Sequence, residues 1–196
     1  MPSPAMVSTN GQLMIDMNDG TGTRVFVSDN DPLRASFGLF LPGVVPAANP
    51  TDVIVIQGSA SKTLRIRELM FSGGATAASN VEVLIYRRTT ANTGGTFTAQ
   101  TLVNRDKSDL AATAVVNLYT ANPASLGTSI GVADGGRLNL APPSNGSIDR
   151  LLLQYGWLND KAPILRGVSD FLCIGFGGVA WPAGGALDVN LVLTED

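Results

Sequence analysis

The chain has 196 residues, with 16 acidic and 13 basic side chains, a net charge of −3, one cysteine and no histidine. A mild negative charge argues against the strongly basic surface of a nucleic-acid-binding protein, and the single Cys173 excludes an intramolecular disulfide and a cysteine-rich zinc site. Without histidine, nucleophiles of the Ser-His and Cys-His types are excluded as well. A chain of this length can fold as one domain with its own hydrophobic core.

The apolar residues are spread along the chain in short groups. No uninterrupted run approaches the ~20 apolar residues that a membrane-spanning helix requires, and the first basic side chain is Arg24. We therefore expect a soluble protein that is made in a cytoplasm and binds neither membrane nor nucleic acid. The abundance of glycine, with 22 residues, and of small polar residues favours β-structure with many turns.

The first 20 residues contain two prolines, several polar residues and one short apolar group, Leu13–Ile15. No hydrophobic period is sustained here, so the segment 1–20 predicts an extended N-terminal arm in front of a single β-sandwich domain, 21–196. The alternative is a disordered terminus, which is the common state of such segments.

Three strands are predicted before residue 60, at 23–28, 37–41 and 53–56. Val53–Ile56 has no polar alternation, which indicates a strand that is covered on both faces. The segment from Pro42 to Pro50 contains three prolines. Because proline lacks the backbone donor that a sheet requires, this connection is predicted to lie outside the central sheets.

The clearest pattern lies between Ile56 and Thr90, where two long strands are joined by a turn of small residues, 72–80. In the first strand Leu64 and Ile66 alternate with Arg65 and Arg67, and the second strand repeats this period over 81–86. Each strand therefore has one buried face and one face that is free to meet solvent or a partner. The turn is predicted to link neighbouring strands. The available positions Arg65, Arg67 and Arg88 predict a docking face.

The segment Gly58–Thr63 follows a strand and invites comparison with a phosphate-binding P-loop. That motif needs glycine immediately before the lysine and again six positions before it, where this chain has Ser61 and Ile56. A helix must also follow, whereas residues 64–67 alternate with the period of a strand. Nucleotide binding is therefore not predicted.

The rest of the chain continues the strand pattern with turn clusters between the strands. Phe171–Phe176 is apolar at every position except Gly175 and is predicted to be central, with Cys173 as a small core residue. About eight to ten strands without an amphipathic helix indicate an all-β antiparallel sandwich, specifically a jelly roll, and an up-and-down barrel is the alternative. The further predicted strands lie at 97–103, 113–119, near 130, 137–140, 148–157 and 187–193.

Five segments of turn and strand residues share one resemblance: Gln57–Ile66, Phe71–Ala78, Tyr86–Thr96, Asp109–Ala114 and Leu118–Pro123. They resemble small structural proteins of tailed bacteriophages and prophages, and the resemblance carries no catalytic, cofactor-binding or metal-binding residue. It implies a virion component: a decoration or cement protein on the capsid surface, synthesised in the host bacterial cytoplasm, which stabilises the icosahedral shell by bridging major capsid protein subunits. It also implies a homo-oligomer, such as a trimer, with the segment 1–20 clasping a neighbour.

One alternative keeps the virion but places the protein in the tail, as a fibre, baseplate or adaptor component that binds a glycan or a host receptor. Aromatic rings stack on sugar rings, and four aromatic residues were considered for this role, although core or rim packing explains each of them as well. These residues are Tyr119, Tyr155, Trp157 and Trp181.

A second alternative is a carboxylate-based glycosidase, which needs two carboxyl groups facing each other across a cleft. The strand carboxylates to consider are Glu68, Glu82, Asp149 and Asp188. Cross-strand ion pairs of Glu68 and Glu82 with nearby arginines explain these two without catalysis. The sequence therefore predicts no enzyme.

Overall fold

The computed structural model describes residues 6–7, 13–14, 34–145, 148–156 and 161–196. The chain divides into two compact units, Met1–Arg34 and Ala35–Asp196. In the first unit β1 (Met6–Val7) pairs antiparallel with β2 (Leu13–Met14). The rest of the predicted arm, its boundary at residue 20, the predicted strand 23–28 and Trp157 lie outside the described residues.

The second unit is all-β, as predicted, and its described residues contain no α-helix. One 3-10 turn, Pro143–Asn145, lies in a connection. The strands are β3 (Ala35–Val44), β4 (Asp52–Gln57), β5 (Thr63–Gly74), β6 (Ser79–Arg88), β7 (Thr96–Gln100), β8 (Val103–Asn104), β9 (Val115–Ala121), β10 (Ser129–Leu140), β11 (Arg150–Gln154), β12 (Ile164–Arg166), β13 (Phe171–Gly175) and β14 (Ala186–Glu195).

These strands form two antiparallel sheets that pack face to face. Sheet I has the order β10-β6-β13-β4-β9-β7, and sheet II has the order β11-β5-β14-β3-β8, with β12 beside the start of β5. Without β7 to β9, and with β11 and β12 counted together because both pair with β5, the chain visits the sheets in the order II, I, II, I, I, II, I, II. This alternation, with β14 between β3 and β5 and β13 between β4 and β6, is the double Greek key of a jelly roll. The jelly-roll prediction is therefore confirmed.

Residues 89–128, which we call the insertion, connect β6 to β10 and are not needed to complete the jelly roll. The insertion adds β9 and then β7 to the free side of β4, so that sheet I extends beyond the edge of the eight-stranded plan. Its strand β8 pairs with β3 in sheet II.

The core lies between the sheets and follows the predicted alternation. Leu64 and Ile66 on β5 face inward, as do Val83 and Ile85 on β6, and all four are fully buried. The central strands β4 and β13 are buried at every apolar position, which confirms the predictions that β4 is covered on both faces and that β13 is central. Cys173 is buried, as predicted.

The turn at 72–80 does not link neighbouring strands, contrary to the prediction. It crosses from β5 in sheet II to β6 in sheet I, so these two strands lie in different sheets. An alternating pattern requires one buried face, and a partner packed from the opposite sheet satisfies that requirement as well as a paired strand does.

Pro42 also departs from the prediction, because β3 continues through it to Val44. The register with β14 shifts here, since Leu41 lies opposite Val189 while Val44 lies opposite Leu187. Gly43 adopts a φ of 60° at this bulge, and its N–H donates to Asp188 Oδ1 at 2.8 Å. The bulge provides the one place in the strand where proline's missing donor is tolerated.

Candidate functional site

The outer face of sheet I, which points away from sheet II, has a region without exposed charge, and the charged residues Glu82 and Arg137 lie opposite each other in another row of this face. One row of residues in direct register crosses all six strands of the sheet without a charged side chain. We call this row and the adjacent row through Phe171 and Val115 the neutral face. The crossing row is Val132, Tyr86, Cys173, Val55, Asn117 and Ala99.

The insertion is the source of much of this neutrality. Between Thr89 and Ala133 every charged side chain belongs to one loop, 105–109. The same stretch contains a group of large apolar residues that are exposed on the surface: Phe97, Val103, Leu110, Val115, Leu126, Ile130 and Val132. Of these residues, Val115 and Val132 lie in the two rows of the neutral face and Phe97 lies beside Tyr119, whereas Val103 belongs to β8 in sheet II. Exposed apolar side chains on a face that lacks exposed charge are typical of sites of protein interaction.

The middle of the neutral face is built as a second, smaller core. Val55, Tyr119, Phe171 and Cys173 are each at most 6% exposed and pack together with Tyr86. Burial raises the pKa of the Cys173 thiol well above its usual value, with a further contribution from Asp52, so the thiol stays protonated. The side chains at the centre of this face are therefore fixed and chemically inert.

One charged residue of the neutral face, Arg88, is buried in an ion pair. Its Nε and Nη2 donate to the two carboxylate oxygens of Asp52 at 2.7 and 2.9 Å, and its guanidinium carbon lies 5.0 Å from the centre of the Tyr86 ring. The hydrogen bond to Asp52 raises the pKa of Arg88. Because both partners are buried, the pair places no net charge on the face.

The same ion pair ties the insertion to the jelly roll. Asn92 Nδ2 donates to Asp52 Oδ2 at 2.9 Å, and Arg88 Nη1 donates to the carbonyl of Gly127 at 2.8 Å. The Gly127 N–H in turn donates to Asn92 Oδ1 at 2.8 Å, so these four residues form one closed hydrogen-bond network. Both ends of the insertion are thereby attached to one buried network.

A second buried carboxylate, Glu195 at the end of β14, holds the middle of the insertion. It accepts hydrogen bonds from the N–H groups of Thr113 and Ala114, the shorter ones at 2.9 and 2.7 Å. The Thr113 hydroxyl donates to Ser59 Oγ at 2.7 Å, and Lys62 Nζ lies 3.6 Å from Glu195 Oε2. Neither Asp52 nor Glu195 was singled out from the sequence, because nothing in a local pattern indicates that a strand-end carboxylate is buried.

The three arginines of the predicted docking face do not act together. Arg88 is only 5% exposed, so its assignment to an exposed position was wrong; it reaches across the sheet to Asp52. Arg65 is half-buried and forms a two-point ion pair with the carboxylate of Asp196 at 3.1 and 3.3 Å. Arg67 is exposed.

The four carboxylates of the glycosidase alternative are not brought together. Glu68 and Asp188 lie on the outer face of sheet II, in different rows, opposite Val192 and Ser72 respectively. Glu82 lies on sheet I, opposite Arg137 on β10. Asp149 lies in a connection and accepts the N–H groups of Asn139 and Arg150, which lower its pKa.

The predicted cross-strand ion pairs of Glu68 and Glu82 are also wrong in their partners. Arg65 pairs with Asp196, and Arg88 pairs with Asp52. Glu68 Oε2 accepts a hydrogen bond from Gln154 Nε2 on the neighbouring strand at 3.1 Å.

The aromatic residues proposed for sugar stacking serve mainly as packing residues. Tyr119 and Tyr155 are 6% and 9% exposed. Trp181 is half-buried; its ring packs edge-on against Phe176 at 5.0 Å, and its Nε1 donates to the carbonyl of Gly185 at 2.8 Å. Burial of the ring faces removes the flat platform that a sugar needs.

A cavity of about 640 Å³ lies at one end of the sandwich, bordered by the ends of β5 and β14. Its lining is made of glycine, alanine, proline, serine and threonine together with Ile148, and its one carboxylate, Asp188, accepts a hydrogen bond from Gly43. In the part of the chain that the structure describes, no three His, Cys, Asp or Glu side chains gather as metal ligands. No helix of the described residues is long and apolar enough to cross a membrane.

The neutral face combines a lack of exposed charge with exposed apolar side chains, and the buried carboxylates Asp52 and Glu195 hold the insertion that forms part of it. It is therefore the candidate functional site. Scans of the chain against protein-family models, curated proteins and solved structures each gave no match.

Proposed function

We propose that the chain is a decoration or cement protein of a tailed bacteriophage or prophage. In this role it binds the capsid surface and stabilises the icosahedral shell by bridging major capsid protein subunits. The protein is made in the bacterial cytoplasm, acts as a homo-oligomer and needs no cofactor, nucleic acid or membrane. The observation that carries the proposal is the neutral face, with its exposed apolar side chains, on a rigid jelly roll.

The composition of the neutral face suits a protein partner. The buried centres of protein interfaces are depleted of charge and enriched in aromatic residues, and this face lacks exposed charge and offers Tyr86 and Phe97, which are partly exposed. A surface that needs no chemistry and is held in one shape can bind repeated subunits of a shell with little loss of conformational freedom.

The resemblance to phage structural proteins concerns the same part of the molecule. Two of its five segments, Tyr86–Thr96 and Asp109–Ala114, supply Arg88, Asn92 and Thr113 to the networks that anchor the insertion. A third segment, Leu118–Pro123, contributes Tyr119 to the small core of the neutral face. The segments that carry this resemblance thus include residues that hold the neutral face in place, which supports the proposal of a role for this face in the virion.

The proposal is tested by mixing the purified protein with purified empty capsids of its phage and measuring co-sedimentation. We expect saturable binding that persists at high salt, because a neutral interface is little affected by ionic screening. Gold-labelled antibody against the protein should mark the head of intact virions. Labelling confined to the tail would contradict the proposal and favour a tail component.

A further inference from the structure

Strand β7 forms the outermost edge of sheet I, and in the described residues it pairs with β9 alone. The side chains of Thr96, Phe97, Thr98 and Ala99 are all exposed. An exposed edge strand offers unpaired N–H and C=O groups to any other strand, so natural sheets protect their edges with charges, prolines, bulges or covering segments.

The other edges of the two sheets carry such protection, and β7 does not. On β10 there are Asp134 and Arg137, β11 begins with Arg150, and β8, the last strand of sheet II, is only two residues long. By contrast, β7 reads TFTAQ, five residues without a charge or a proline. No charged residue occurs between Arg88 and Arg105.

We propose that β7 pairs antiparallel with β7 of a second copy of this chain, about a twofold axis at Thr98. The pairing joins the two six-stranded sheets into one continuous sheet and makes the protein a dimer. It extends the neutral face across the junction, so that each dimer presents a neutral face about twice as wide.

A second copy is the partner that this edge fits best, because a twofold axis places each residue against a fixed counterpart. Thr98 meets Thr98, a favourable cross-strand pair, and Phe97 meets Ala99. Phe97 lies on the outer face, where its ring centre is 5.2 Å from that of Tyr119. The small Ala99 of the second copy lies on the same outer face and leaves room for this ring.

The absence of charge is the second reason for a self-pairing. Any charged side chain close to a twofold axis meets its own like charge, which destabilises the pair. An edge without charge for several residues on either side of Thr98 avoids this repulsion. The proposal does not depend on the virion function, and the twofold axis distinguishes it from a trimer.

The test is the mass of the purified full-length chain in solution, measured by light scattering or sedimentation over a range of concentrations. We expect a mass of twice 20.3 kDa that falls to the monomer mass on dilution. The variants Thr98→Lys and Thr98→Glu should each be monomeric, because like charges meet at the axis, and an equimolar mixture of the two should recover the dimer. The control Ala121→Lys, an exposed position on β9, should remain dimeric.

A covalent variant tests the register independently of affinity. Residues directly opposite in an antiparallel pair have Cα atoms about 4.5–5.5 Å apart, which suits a disulfide. Mild oxidation of Thr98→Cys should therefore give a cross-linked dimer, whereas Ala121→Cys should not, and the buried Cys173 should not interfere. A native chain that is monomeric at every concentration, a trimer, or a dimer that Thr98→Lys leaves intact would overturn the proposal.

Discussion

The two outer faces of the sandwich have the same architecture but different chemistry. On sheet II, a neutral row through Met70 lies between rows that carry Arg150 and Asp188 on one side and Glu68 on the other. On sheet I, two adjacent rows contain one charged residue, Arg88, and Asp52 neutralises it below the surface. The sheet II face has the mixed charges of a solvated surface, whereas these two rows of sheet I have the charge-poor composition of an interface.

This difference shows that the insertion changes the role of one sheet and leaves the other as scaffold. The jelly roll is complete without β7 to β9, yet these strands widen sheet I and bring a long uncharged stretch onto its outer side. Two buried charged groups, Asp52 and Glu195, are used to hold the insertion in place. A fold that only needed stability would gain little from burying charges at these positions.

The largest expected effect comes from breaking the ion pair below the neutral face. Replacing Arg88 with Met leaves the buried Asp52 carboxylate without its partner, which should reduce the free energy of unfolding by about 3–5 kcal/mol. The free energy is measured by urea denaturation. The matched control is Arg65→Met on the sheet II face, whose pair with Asp196 is more exposed and should contribute no more than about 1 kcal/mol. Equal losses in the two variants would contradict the difference between the faces.

Glu195 allows the anchoring of the insertion to be tested separately from the neutral face. Glu195→Ala removes the acceptor of the Thr113 and Ala114 N–H groups and should reduce the free energy of unfolding by about 2–3 kcal/mol. The rate of backbone amide hydrogen exchange should increase most at residues 110–114. If the exchange rate instead increased equally across both sheets, Glu195 would support the whole sandwich and not the insertion in particular.

A smaller effect should come from the buried thiol at the centre of the neutral face. The pKa of Cys173 is raised in the folded chain, so the unfolded chain releases its thiol proton first as the pH rises. The free energy of unfolding is therefore unaffected below pH about 8.5 and should decrease above it, by about 2 kcal/mol at pH 10. This is measured by denaturation at pH 7 and pH 10.

Cys173→Ala is the control for that pH dependence. It should show a smaller decrease between the two pH values, with the remainder coming from tyrosines such as Tyr86 and Tyr119, whose pKa values are raised by burial. An unchanged pH dependence in this variant would show that solvent reaches the thiol and that the neutral face is open at its centre.

Much of the sandwich could be predicted from local patterns. The alternation on β5 and β6, the fully apolar β4 and β13 and the turn clusters led to the correct fold class and the correct core residues. The reason is that burial of one or both faces leaves a period in the sequence that does not depend on the partner strand.

The features that were not predicted depend on contacts between distant residues. The pattern at 56–90 is the same whether two strands pair or pack face to face, so the assignment of β5 and β6 to different sheets was missed. The pairing of Arg88 with Asp52 joins residues 36 positions apart, and that of Glu195 with Thr113 spans 82. The neutrality of 89–133 is visible in the sequence, but its placement on one face requires the strand order.

The most direct test of the neutral face compares capsid binding by two matched double variants. One carries Val115→Lys and Val132→Lys on the neutral face, where both side chains are exposed, and the other carries Arg65→Glu and Arg67→Glu on sheet II. With folding of each variant verified by its denaturation curve, we expect the first to lose capsid co-sedimentation and the second to bind like the unmodified chain. Loss of binding in the arginine variant with full binding in the lysine variant would contradict the account and return the docking face to sheet II.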